Sequence, residues 1–328
     1  MAAVPPWQTR TPCSNADDTI TMTRFILRRL ATFVPVLLAI ITITFFMVRL
    51  APGGPFDEER RVPEEILRQL EKAYNLDAPL YRQYFDYLGG VLRGDLGPSF
   101  KKPSHTVSEW IAMKLPVSLE LGTYALLIAL GIGLPAGILA ATRPNSARDY
   151  VPMSFAMGGI CIPNFVLGPL LVLVFSLWLG WLPITGWTTP AEKILPSLTL
   201  GAVYAAYIAR LTRGGMLEVM GQDYIRTARA KGLSESAVVL KHGLRGGLLP
   251  VIAFLGPAIA GLLTGSFVIE RIFLIPGLGR EFVDAAFNRD YTMIMGTVLV
   301  YASLVLVLNL AADILHALLD PRVRSSMQ

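Results

Sequence analysis

Charge is scarce in this 328-residue chain, with Asp, Glu, Lys and Arg making up 16% of it against 53% hydrophobic residues, and the mean hydropathy is +0.52. That leaves too little solvated surface for an ordinary soluble domain and places the chain in a bilayer. Cysteine is nearly absent. Cys13 lies near the N-terminus and Cys161 in an apolar run, which excludes a disulfide framework and a thiolate metal site and makes Cys161 a small core residue. The three histidines, His105, His242 and His316, fall in different loops or span ends, and neither His-Glu-x-x-His nor Gly-x-Ser-x-Gly occurs, so a membrane protease or other hydrolase is a poor fit. Gly-x-x-x-x-Gly-Lys-Ser/Thr is also missing. The chain therefore cannot cradle a nucleotide by that route, and any ATP must be hydrolysed elsewhere.

What the sequence has in quantity is long apolar runs. Residues 1–21 show neither periodicity nor an apolar core and are expected to form a disordered tail outside the native start. Arg24, Arg28 and Arg29 then introduce a run to Val48 that is too long for a signal peptide and has no small-residue cleavage site, as in an uncleaved signal anchor. Further spans are predicted at Leu115 to Ala141, Val151 to Leu179, Ile194 to Leu211, Leu248 to Ile269 and Met293 to Leu315. The fold class is all-α, a polytopic membrane protein with six transmembrane helices. Residues 22–328 form its membrane domain, and residues 51–114 make an outer helical cap with helical spacing at Pro63 to Leu70 and again at Pro79 to Leu88.

Orientation follows from the short loops. Arg143 and Arg148 separate spans two and three, and Arg210, Arg213, Arg226, Arg229, Lys231, Lys241 and Arg245 lie between spans four and five, with Arg322 and Arg324 at the terminus. The opposite loops carry fewer bases or offset them with acids, so the N-terminus, the 214–247 loop and the C-terminus are expected in the cytoplasm. Glu120 and Asp313 lie near span ends, where a structural role suffices. A proton-coupled secondary transporter would need a carboxylate near mid-depth, and the spans supply none there.

The 214–247 loop is the charged interruption around which the chain is organised. Asp223 to Lys231 has helix-forming residues with an acid at the start and a base at the end; Gly232 can take the left-handed conformation that closes a helix; Ser234 reads as the N-cap of a second helix, Glu235 to about His242. Two short helices joined by a tight elbow are expected. On the outer side, Pro276-Gly277-Leu278-Gly279 is predicted to turn back toward the pathway as a re-entrant or docking segment.

The loop resembles the cytoplasmic coupling loop of ABC importer permeases, whose general form is Glu-Ala-Ala, three residues, then Gly. With the Gly at Gly232, the Glu-Ala-Ala positions hold Arg226-Thr227-Ala228, so only Ala228 and Gly232 match that form. Of the later Ile-x-Leu-Pro element only Leu244 agrees, within His242-Gly243-Leu244-Arg245. The wording Arg226 to Gly232 is similar to that of the peptide-transporting branch. Leu115-Pro116-Val117-Ser118, Ile162-Pro163-Asn164-Phe165, Gly265-Ser266, Val268-Ile269-Glu270, Ile275 to Gly279 and Asp320-Pro321-Arg322 extend the likeness over residues 24–328 to the B-type membrane subunit of the peptide and nickel importers.

The resemblance implies the type I ABC importer permease fold and one half of an oligopeptide pathway, with relatives for dipeptides, nickel or other solutes as the alternative. It implies no catalysis and no cofactor in this chain, and ATP hydrolysed by partners. Those partners are a second, C-type permease subunit, two ATPase subunits, an extracytoplasmic peptide-binding protein, the oligopeptide and the bilayer, with no nucleic acid. It assigns ATPase coupling to Asp223, Tyr224, Arg226, Thr227, Ala228, Arg229, Lys231, Gly232, Ser234 and His242, and outer gating to Pro276, Gly277 and Gly279. A secondary transporter acting alone and a non-transporting scaffold are the other classes, and co-purifying ATPase subunits distinguish them.

Overall fold

A computed structural model describes residues 15–51, 54–55, 69, 72, 74–264 and 266–319, with 15–26 and 315–319 as backbone only. The helix expected over Pro63 to Leu70 lies outside the described residues apart from 69. Among the described residues there is no strand, only a single bridge between Pro98 and Thr106.

In chain order the helices are α1 (Asn15–Leu50), α2 (Leu80–Leu92), α3 (Val107–Thr142), α4 (Ala147–Cys161), α5 (Asn164–Leu171) and α6 (Pro190–Met220). They continue with α7 (Asp223–Ala230), α8 (Glu235–Ala237), α9 (Leu244–Gly247), α10 (Leu249–Thr264), α11 (Phe267–Ile272), α12 (Leu278–Phe287) and α13 (Tyr291–Leu319). Of the stretch expected as a tail, residues 15–21 are described, as the first turns of α1. The second span starts at Val107 rather than Leu115. Thr106 accepts from the Glu109 N–H at 3.3 Å while the Glu109 carboxylate accepts from the Thr106 N–H at 2.9 Å, a reciprocal cap that fixes the start.

Among the described residues five helical stretches are long and apolar enough to cross a membrane, and a sixth candidate is a broken pair, α4 and α5 with its π-helical continuation to Trp178, bent by 111°. Pro163 causes the break. The residue before a proline is kept out of the helical region, and Ile162 accordingly has ψ 118°, followed by Pro163 at φ −59°, ψ 141°. The predicted third span, Val151 to Leu179, is thus broken at the Pro163 it contains. Cys161, expected in the core, is exposed at the end of α4, because the bend carries the following helix away from it.

Helix packing settles that the bent pair still crosses once. Glu120 on α3 meets Lys193 in the first turn of α6, and Gly133 and Gly137, further along α3, meet Ala205 and Ala209, further along α6, so α3 and α6 run parallel. The segment between them must therefore return to the side on which α3 began. Antiparallel contacts complete six crossings: Gly122 on α3 against Leu263 on α10, Gly256 on α10 against Ala312 on α13, and Arg29 on α1 paired with Asp313 on α13 at 3.0 Å.

Small residues set the α3 to α6 distance. A Cβ at Gly133 would lie 2.6 Å from the Ala205 carbonyl oxygen, and one at Gly201 2.6 Å from that of Ala125. Backbone approach of this kind is how helices gain dispersion contact where lipid provides no hydrophobic drive. The fully buried Leu121, Ala129, Leu195, Leu200, Ile208 and Leu262 fill the space among α3, α6 and α10. At the end of the bundle where α3 begins, α2 lies against α1 through Thr42 and Tyr84 at 2.8 Å and through the Arg49 Nε–H donating to Gln83 at 3.0 Å.

Candidate functional site

At one end of the bundle the elbow is built as the capping chemistry requires. α7 carries Asp223 in its first turn and buries only Ile225 and Ala228, which are three residues apart and so share a face; they close onto Val238. The chain then reverses at Gly232, whose φ is +79°, in the region where a side chain costs energy. The Ser234 hydroxyl accepts from the Ala237 N–H at 3.4 Å and starts α8.

Asp223, Tyr224, Arg226, Thr227, Arg229, Lys231, Gly232 and Ser234 are all exposed and form a continuous ridge, whereas Ala228 supports it from beneath and His242 is half-buried. Across the elbow the Arg229 guanidinium grips Glu235 with two bonds, at 3.1 and 2.7 Å. The pairing holds the Glu235 carboxyl below its ordinary value and raises Arg229. Both side chains are exposed, so the pair stabilises the elbow by no more than ~0.2–1 kcal/mol.

The second arm differs from the short helix expected. α8 passes through a π-helical segment, Val238–Gly243, into α9, and backbone bonds from Leu248 to Leu244 and from Ile252 to Leu248 carry it into α10. Val239 on this arm packs with Met216 of α6 and Ala141 of α3, and Gly247 lies against Met216. The arm leaving the ridge is thus in helical continuity with the fifth span and packed on the fourth. The cap at Ser234 was visible in the sequence; the continuation of the helix through Gly243, Gly246 and Gly247 was not.

At the opposite end Pro276 is exposed while Gly277 and Gly279 are buried. The turn predicted over Pro276 to Gly279 lies earlier, at Phe273 to Gly277, with Leu274 at φ +56°, and Gly279 is already in the first turn of α12. Pro276 and Gly277 act as the lead-in to a helix, so the segment is a helical hairpin, α11 and α12, packed on α3, rather than an irregular turn.

Sequence reasoning missed Glu270, which is fully buried and accepts from Ser118 and Ser266 hydroxyls and the Arg280 N–H. It also missed the buried Asp149, gripped by Arg213 at 2.5 and 2.7 Å where α4 meets α6. Glu120 accepts from the Trp187 indole at 2.8 Å and from Lys193 at 2.6 Å, which gives it the structural role expected. No cluster of three metal-ligating side chains occurs among the described residues.

Comparison with known proteins agrees with this architecture. Residues 133–325 match the family described as binding-protein-dependent transport system inner membrane component, and residues 22–122 match its N-terminal counterpart. The chain is 48% identical over 305 residues to the oligopeptide transport system permease protein OppB of Haemophilus influenzae, covering 92% of this chain and 100% of the relative. It is 47% identical over the same length to OppB of Salmonella typhimurium, and 46% identical over 303 residues to the dipeptide transport system permease protein DppB of Bacillus subtilis, covering 92% of this chain and 98% of the relative. Two crystal forms of the MetNI methionine ABC transporter share the fold, with TM-scores of 0.51 and 0.52 at 20% and 19% identity, covering 66% and 67% of this chain and 96% of each of theirs. The chain belongs to the family of binding-protein-dependent transport system inner membrane components.

Proposed function

We propose that this chain is the B-type permease subunit of an ATP-driven oligopeptide importer, forming half of the translocation pathway with a second, C-type permease subunit. The observation that carries this reading is 46–48% identity over 92% of the chain to oligopeptide permeases. One of two ATPase subunits docks on the Asp223 to Ser234 ridge, and a peptide-binding protein delivers substrate to the opposite face. The ridge end is cytoplasmic, because Arg143, Arg148, Arg226, Arg229, Lys231, Lys241 and Arg245 all lie there. The chain itself performs no catalysis and binds no nucleotide.

Closure of the ATPase pair on ATP pushes the ridge, and the near-continuous helix from Glu235 to Thr264 transmits the push into the fifth span. The bundle then alternates between inward-facing and outward-facing arrangements. The hairpin at Pro276, Gly277 and Gly279 forms the outer gate of this half. A dipeptide permease is the second reading, supported by 46% identity to the DppB relative.

The test is purification of the tagged chain after co-expression with the genes adjoining its own. Recovery of a second permease and an ATPase, together with uptake of a labelled tetrapeptide, supports the proposal. A chain purified alone that still transports would contradict it, and uptake confined to dipeptides would favour the second reading.

A further inference from the structure

Glu270 is a buried ionisable side chain, 0% exposed, to which the proposed transport role assigns no part. Its Oε1 accepts from the Ser118 hydroxyl of α3 at 2.7 Å and from the Ser266 hydroxyl one turn earlier at 2.6 Å. Its Oε2 accepts from the backbone N–H of Arg280, in the first turn of α12, at 2.9 Å. The Ser118 oxygen in turn accepts from the Leu278 N–H at 2.9 Å.

Helix α12 is therefore capped from outside. Gly277, its own N-cap residue, has no side chain to offer, and two N–H groups of its first turn are satisfied by α3 and α11 instead. The glycine is what admits the carboxylate, since a Cβ there would lie 2.7 Å from the Ser118 oxygen and nearer still to Glu270. The neighbouring guanidinium groups of Arg271 and Arg280 pair with Asp284. Hydroxyls, an amide N–H and the positive end of α12 hold Glu270, and Phe273, Ile275 and Leu278 seal the region around it.

Such a network has no partly broken state that is cheap. If α12 lifts off α3 and α11, the Leu278 and Arg280 N–H groups and the Glu270 Oε2 lose partners together, while Oε1 keeps the Ser118 and Ser266 hydroxyls, so the helix releases as a unit. It also sits at the outer end of the helical element that begins at the elbow, because α11 follows α10. We propose that Glu270 is the positioning residue of the outer gate, a pin that seats α12 on α3 and holds the outer end of this half-pathway shut until the binding protein docks. The inference rests on the proposed importer function.

The experiment uses the complete transporter in proteoliposomes, with Glu270→Gln and Ser118→Ala as separate variants. Gln keeps one oxygen for the Arg280 N–H, and the serine hydroxyls can rotate to meet its amide, so it weakens the pin without emptying the site. If the pin holds the outer end shut, both variants assemble at wild-type level with unchanged thermal unfolding. Their ATPase rate without binding protein rises roughly 3- to 10-fold, the factor expected for one net hydrogen bond, and the stimulation ratio falls correspondingly. A rate without binding protein that stays at the wild-type value in both assembled variants would overturn the proposal, as would a rise seen only with loss of assembled complex. Failure of the wild-type complex to couple peptide uptake to ATP would instead sink the importer function itself, so the two failures are separable.

Discussion

Replacing Gly232 with Val tests the elbow with little disturbance elsewhere. The residue has φ +79°, and a Cβ built on it would have no atom within 4 Å, so the substitution meets no steric obstacle and acts through the backbone alone. The left-handed conformation costs a residue with a Cβ roughly 1–2 kcal/mol, and β-branching adds to that. This shifts the population of the native elbow about 5- to 30-fold, yet remains small beside the ~5–15 kcal/mol stability of a folded domain. The chain should reach the membrane at near-normal level, lose most ATPase association and abolish peptide uptake. Gly232→Asn supplies the control, because Asn tolerates positive φ and should retain most activity. The assay is recovery of the ATPase on the tagged chain, measured beside uptake in the same cells. Normal uptake and normal ATPase recovery with Val would refute the reasoning and leave Gly232 as the end of an ordinary helix.

Labelling from outside should modify Asp77→Cys in intact cells and Ser234→Cys only after permeabilisation, in a chain carrying Ser at positions 13 and 161; labelling of both from one side would invalidate the six-crossing topology. Gly137→Leu should lower the thermal midpoint of the purified complex, because its Cβ would lie 2.5 Å from the Ala209 carbonyl oxygen and overpacking costs about 1–3 kcal/mol. Gly131→Leu, with no atom within 4 Å of that position, should leave the midpoint unchanged. Because Glu235 titrates lower in the folded elbow than free in water, its pairing with Arg229 stabilises the elbow above pH ~4.5 and is lost as pH falls through the lowered value. Hydrogen exchange over residues 223–237 should therefore show extra opening toward pH 3 that Glu235→Gln removes, whereas identical acid profiles would discount the pair.

The elbow was legible because its determinants are local. Asp223, Gly232 and Ser234 each act on the next few residues, so capping rules reach them without tertiary knowledge. The spans were legible for a similar reason, as apolar runs. Glu270 was not, because its partners Ser118, Ser266 and Arg280 come from three helices that only the folded bundle brings together, and in sequence it counts merely as one acid in an outer loop. Asp149 and Arg213 are separated in the same way. Pro163 announced a break, but its 111° extent depends on how α4 and α5 pack against α6, which no window of sequence contains.

The most direct measurement is uptake of a labelled oligopeptide into proteoliposomes holding this chain, its permease partner and the two ATPase subunits, with the binding protein on the outside and ATP on the inside. The account predicts accumulation that requires both ATP and the binding protein and disappears with Gly232→Val. Accumulation by this chain without ATPase subunits, or driven by a proton gradient in the absence of ATP, would contradict it.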